Sequence, residues 1–224
     1  MICHKKLTFK RLFAFALCRK RARVLLASAM MIWLGGQNGI AGTNQIDDAN
    51  KLVAQMMVEV ESILATDIDD NTARRKNVSA LFDRYFDLPT IAKFSAGPYW
   101  RAADADQKNA YELAIRDVII STVVRNFDQL SGRKFTPTDS QAKGTQLVLV
   151  NGTFTDIQQR QPPIMVGWRV VTADNASPLI LDVEIENISM LVTQKQENVA
   201  IIRKNEGKFA ALIDAMKQRG QSNN

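Results

Sequence analysis

The chain has 224 residues, and its 29 Lys and Arg outnumber 23 Asp and Glu for a formal charge of +6. The excess is local: eight of the bases and none of the acids fall in the first 41 residues, leaving 21 bases and 23 acids, a net of −2, for the rest. A clustered basic surface is therefore missing, and no nucleic-acid partner is expected.

Both cysteines, Cys3 and Cys18, and the only histidine, His4, sit in that basic start. An apolar run from Val24 to Leu34 follows, ending at Gly35-Gly36, and Gly39 and Ala41 fit the −3 and −1 positions of a small-residue cleavage site. This order of basic, apolar and small residues is that of a secretory signal peptide. The apolar centre is shorter than the roughly 20 residues of a membrane span. Residues 1–41 are thus expected to be removed on export, leaving 42–224 as a single domain. Neither thiol nor imidazole survives that cut, so disulfides are excluded and a zinc site would need carboxylates for every protein ligand. No cofactor is expected.

In chain order, Ile46 to Ala65 places Leu52, Val53, Met56, Met57, Val60, Ile63 and Leu64 at helical spacing. An acidic loop follows, then a second helix from Thr72 to Phe86 with Val78, Leu81, Phe82, Tyr85 and Phe86 turned inward. Pro89 opens a short helix through Phe94, which Gly97-Pro98 stops. Asp104 and Gln107 have the spacing of a capping box and start the longest helix, to about Leu130. The period then changes to two. Arg133–Ser140, Gly144–Asp156, Pro163–Thr172 and Leu179–Asn187 are predicted strands. In the last, Leu181, Val183 and Ile185 alternate with Asp182, Glu184 and Glu186, which predicts one buried face and one at least partly wet face. Two helices close the chain, one through Val199, Ile201 and Ile202, the other through Phe209, Leu212, Ile213 and Met216. Helices, then an antiparallel sheet, then helices, is an α+β arrangement.

The catalytic inventory is thin. The chain has no phosphate-binding loop, no nucleophile elbow and no His-Glu-x-x-His. Asp67, Asp69 and Asn71 begin like a calcium loop, but Thr72 and Val78 stand where the loop needs Gly and Glu. Asp182 and Glu184 share a strand face and could perturb each other, which leaves acid–base chemistry open as an alternative. The aromatics Phe94, Tyr99, Trp100 and Trp168 fit either a core or a ligand contact.

Arg84-Tyr85-Phe86-Asp87, Gly97-Pro98-Tyr99-Trp100-Arg101 and Gln107-Lys108-Asn109-Ala110-Tyr111 resemble the MlaC family of periplasmic lipid carriers, the toluene-tolerance family of ABC-transporter auxiliary proteins. Gly167-Trp168-Arg169-Val170, Asp182 to Met190 and Thr193 to Asn198 extend the likeness. Asn187 replaces the family's usual Gly, a mild change because Asn tolerates a left-handed backbone. The chain is also similar to a hopanoid-associated branch.

The resemblance implies an NTF2-like α+β fold, with helices packed on a curved antiparallel sheet that encloses an apolar pocket. It implies a soluble phospholipid carrier of the periplasm, not an enzyme. Its partners would be an outer-membrane lipoprotein–porin complex and an inner-membrane ABC transporter. The candidate lipid contacts are Ile115, Ile119 and Val123 on the long helix, facing Val148, Val150, Val166, Val183 and Ile185 on the strands, with Phe94, Tyr99, Trp100 and Trp168. The acid–base alternative requires Asp182 or Glu184 to lie inside the pocket.

Overall fold

A computed structural model describes residues 39–66, 71–172 and 177–222. The expected signal peptide up to residue 38, the acidic residues 67–70 and the turn at 173–175 lie outside the described residues. Helix α1 runs Gly39–Ala65, α2 Asn71–Tyr85, α3 Leu88–Ser95 and α4 Ala105–Asn126. Strands β1 Arg133–Ala142, β2 Leu147–Asp156, β3 Ile164–Val171, β4 Leu179–Ile185 and β5 Ile188–Ser189 follow, then α5 Met190–Lys204 and α6 Phe209–Ser222. The fold is α+β, as the sequence leads one to expect.

The helix starts are built from local chemistry. Asp87 accepts a hydrogen bond from the Thr90 amide, and Pro89 sits in the first turn of α3. At α4 the capping box is complete: Asp104 Oδ1 accepts from the Gln107 amide at 2.8 Å, and Gln107 Oε1 accepts from the Asp104 amide at 3.2 Å. Each such cap satisfies donors that the first helical turn leaves without partners. The long helix ends earlier than its apolar pattern suggests, because Phe127–Leu130 tighten into a 3₁₀ turn.

The five strands form an antiparallel sheet in sequence order. Two irregularities bend it, one between Pro137 and Ser140 of β1 and one at Arg169/Val170 opposite β4. Between β4 and β5 the chain turns at Glu186 (φ 51°) and Asn187 (φ 63°), so that Ile185 pairs with Ile188. Two successive positive φ values define the tight hairpin turn that Asn suits. Further along that edge Phe86 bridges Ile180, and the Asp87 amide donates to the Ile180 carbonyl at 3.0 Å. An open edge would invite pairing with another chain.

Two apolar cores result. The first lies between one sheet face and α1 and α2. The second lies among α3, α4, α5 and α6. Helix α4 contributes to both: Ile120 to the first, and Tyr111, Ala114, Ile115 and Val118 to the second. Among the described residues, no helix is long and apolar enough to cross a membrane.

Candidate functional site

The first core is the candidate site. Strand register puts Val148, Val150 and Phe154 of β2 on the same sheet face as Val166, Trp168 and Val170 of β3, with Ile180 of β4 opposite Val170. Leu52, Val53, Met56, Met57 and Val60 of α1 and Val78, Leu81 and Phe82 of α2 join the same cluster. An aromatic group gathers at its centre. The Phe135 ring is 5.2 Å from Phe154 and 6.4 Å from Trp168, the latter edge to face at 75°. Phe82 stacks on Phe86 at 4.2 Å.

Among the described residues this interlayer is lined by these buried apolar side chains. Two surface grooves lie beside α6. One, of about 360 Å³, is lined by Lys204, Glu206, Lys208 and Asp214, and the other, of about 280 Å³, by Asp106, Gln107, Ile213 and Lys217. Two polar atoms are buried without a hydrogen-bond partner among the described residues, Trp168 Nε1 and Thr172 Oγ1.

The structure brings Val148, Val150, Val166 and Trp168 together in the interlayer, with Ile119, Val123 and Val183 partly buried against it. It sets others apart. Ile115 belongs to the second core, with Tyr99 and Trp100 packed against that core. Phe94 is 40% exposed and lies under the Lys195 ammonium, 4.5 Å from the ring centre. Ile185 is half-buried at the hairpin, paired with Val166 and Ile188.

Of the three α4 residues expected to face the strands, Ile119 and Val123 pack against the interlayer, where α1 also lies over the sheet, whereas Ile115 turns with Tyr111 and Val118 toward the core that α4 shares with α6. Met56, Met57, Phe82, Phe86, Phe135 and Phe154, absent from the expected set, also belong to this interlayer. Their signal was present in the helical stripe of α1 and α2 and in strand alternation. Which helix meets the sheet is not a local property.

The carboxylates lie elsewhere. Asp182 pairs in register with Arg169, and Glu184 with Gly167, on the sheet face opposite Trp168. On the face expected to be at least partly wet, the Asp182 side chain is only 2% exposed. Asp182 accepts from Ser189 Oγ at 2.5 Å and from the Leu191 amide at 2.9 Å, at the start of α5. Arg169 approaches Asp182 at 3.7 Å and pairs with Glu184. These contacts occupy both carboxylates, and neither lines the interlayer that the acid–base alternative requires.

The second core contains a buried polar knot. Tyr111 and Ser95 hydroxyls lie 2.7 Å apart, and Asn198 Nδ2 donates to the Tyr111 hydroxyl at 2.7 Å and to the Ser95 carbonyl at 3.1 Å. Burial pushes the Tyr111 phenol far above its usual range, with the Ser95 bond opposing. The knot ties α3, α4 and α5 together. Among the described residues, no group of three or more acidic, His or Cys side chains could hold a metal ion.

An antiparallel meander with helices over one face, and a continuous apolar interlayer between them, defines the class: an α+β domain whose candidate site is a seam between layers. The chain belongs to the MlaC protein family, whose model matches residues 50–218. The fold is similar to that of a phospholipid-binding protein from Ralstonia solanacearum solved in complex with a phospholipid. The two share 18% identity and a TM-score of 0.68, over 79% of this chain and 98% of that one. None of the curated proteins compared matches the chain.

Proposed function

We propose that this chain is a soluble phospholipid carrier of the periplasm, its acyl chains held between α1 and the sheet. The observation that carries the reading is the apolar interlayer on a fold shared with a phospholipid-bound protein. Family membership supports it. A diacyl lipid has about 30 methylenes, worth roughly 24 kcal/mol gross when removed from water at about 0.8 kcal/mol each. Uptake parts the two layers and replaces side-chain contacts with hydrocarbon contacts, so apolar surface is not surrendered to water. Met56 and Met57, unbranched and polarizable, repack around an irregular guest at low cost.

A bilayer is also apolar, so transfer between carrier and membrane is close to balanced. Direction then comes from partners: an outer-membrane lipoprotein–porin complex at one side of the periplasm and an inner-membrane ABC transporter at the other. Residues 1–41 serve as the export signal and 42–224 as the carrier domain. Organic extraction of the purified protein followed by mass spectrometry tests the reading. A stoichiometric diacyl phospholipid is expected. An empty extract, together with no uptake from vesicles by delipidated protein, would refute it, and a polycyclic triterpenoid would redirect it to a hopanoid ligand.

A further inference from the structure

Trp168 holds a buried hydrogen-bond donor that no acceptor atom meets among the described residues. The residue is 8% exposed, and its indole N–H has no partner among the described residues. Strand register places it at the middle of β3, between Val150 of β2 and Val183 of β4, on the face that α1 covers. A buried donor without an acceptor is costly and uncommon, and an aromatic ring without an N–H would avoid that cost. Thr172 Oγ1 is also without a partner, but it adjoins residues 173–176, outside those described.

We infer that Trp168 Nε1 donates to an ester carbonyl of the bound lipid, which makes Trp168 a specificity residue for ester-linked diacyl lipids. The inference rests on the proposed lipid-carrier function and adds to it the atom that reads the ligand. The chemistry narrows the acceptor. A guest that fits between apolar layers is mostly hydrocarbon, and hydrocarbon accepts nothing. The phosphate is ionised and stays with water, because burying a charge costs far more than burying a neutral carbonyl. The ester carbonyls are the acceptors closest to the tails. When a lipid enters the interlayer, its ester oxygen satisfies the indole N–H that the described residues leave unpaired. A triterpene lacking an acceptor gains nothing from it.

The test uses the chain expressed in full, purified and delipidated. It is offered vesicles of dioleoylphosphatidylcholine or of the dioleyl ether analogue with the same headgroup, and the lipid bound per protein is counted by mass spectrometry. Wild type should prefer the ester lipid by about two- to ten-fold, the worth of one neutral hydrogen bond. Trp168→Phe should lose that preference and take up the ester and ether lipids alike. Equal uptake of ester and ether lipids by wild type overturns the inference whatever the variant does. An equal loss of both lipids in Trp168→Phe also overturns it, since that outcome assigns the indole to shape alone. So does a preference that survives in the variant, the result expected if the N–H rests against the Phe135 ring. Uptake of neither lipid by wild type overturns the carrier function itself, and the inference with it.

Discussion

The Phe135 ring occupies the space above Gly152 that any side chain at that position would fill. Phe135 pairs with Phe154 across β1 and β2, and the missing side chain at Gly152 lets its ring lie down on the sheet toward Trp168. A Cβ at position 152 would collide with the ring and lie 2.8 Å from the Thr136 carbonyl oxygen.

Gly152→Ala is therefore expected to destabilise the fold by about 2 kcal/mol, a fall of roughly 4–8 °C in Tm for a domain of this size. Adding Phe135→Ala should not restore wild-type stability, because the Thr136 oxygen is backbone and stays in place. Thermal melts of the single and double variants check both points.

The knot of Ser95, Tyr111 and Asn198 makes a second prediction. Asn198→Ala leaves the Tyr111 hydroxyl with Ser95 alone and strips the Ser95 carbonyl of the Asn198 donor. A loss of about 1–3 kcal/mol is expected in urea unfolding. Tyr111→Phe should cost less, since Asn198 keeps the Ser95 carbonyl. The double variant should cost less than the sum, because the two share a hydrogen bond.

Layer separation can be blocked. Ser140 Oγ donates to Asn50 Oδ1 at 2.6 Å, joining β1 to α1 at the rim of the interlayer. With Cys3 and Cys18 replaced by Ser, Asn50→Cys and Ser140→Cys joined by a short bis-methanethiosulfonate cross-linker, cleavable by reductant, should prevent lipid uptake from vesicles. Cleaving the cross-link should restore it. Uptake by the cross-linked protein would show that lipid enters without parting α1 from β1.

Stability should also depend on acid pH through Asp156. The Gln158 amide, and after it the Arg160 amide and guanidinium, hold its carboxyl below the ordinary 3.8 against an opposing effect of burial. A carboxyl with a depressed folded pKa contributes fully above its unfolded value, and the contribution is lost as pH falls through the lower folded value. Urea midpoints should therefore drop below about pH 4. Asp156→Asn should flatten that part of the profile while lowering the midpoint at pH 7.

Much of this molecule is written locally. The helical stripe of α1, the Asp104 and Gln107 cap, Pro89 at the head of α3 and the two-residue periods of β2 and β3 each follow from contacts within a few residues. So does the Glu186-Asn187 turn, because Asn bears a positive φ better than most side chains. The order of helices, meander and helices then follows from reading those periods in sequence, as does the α+β class.

Other features exist only once distant segments meet. The irregularity at Arg169/Val170 decides that Ile180 faces the interlayer while Asp182 faces Arg169, although strict alternation from Leu181 to Ile185 would continue outward in one register. Placing α1 over the sheet, and turning Ile115 toward α6, depends on how all six helices share the apolar surface. Whether that surface encloses a void or closes on itself depends on the summed volumes of side chains more than 100 residues apart. A sequence period fixes which face of an element is apolar. It does not name the partner that covers it.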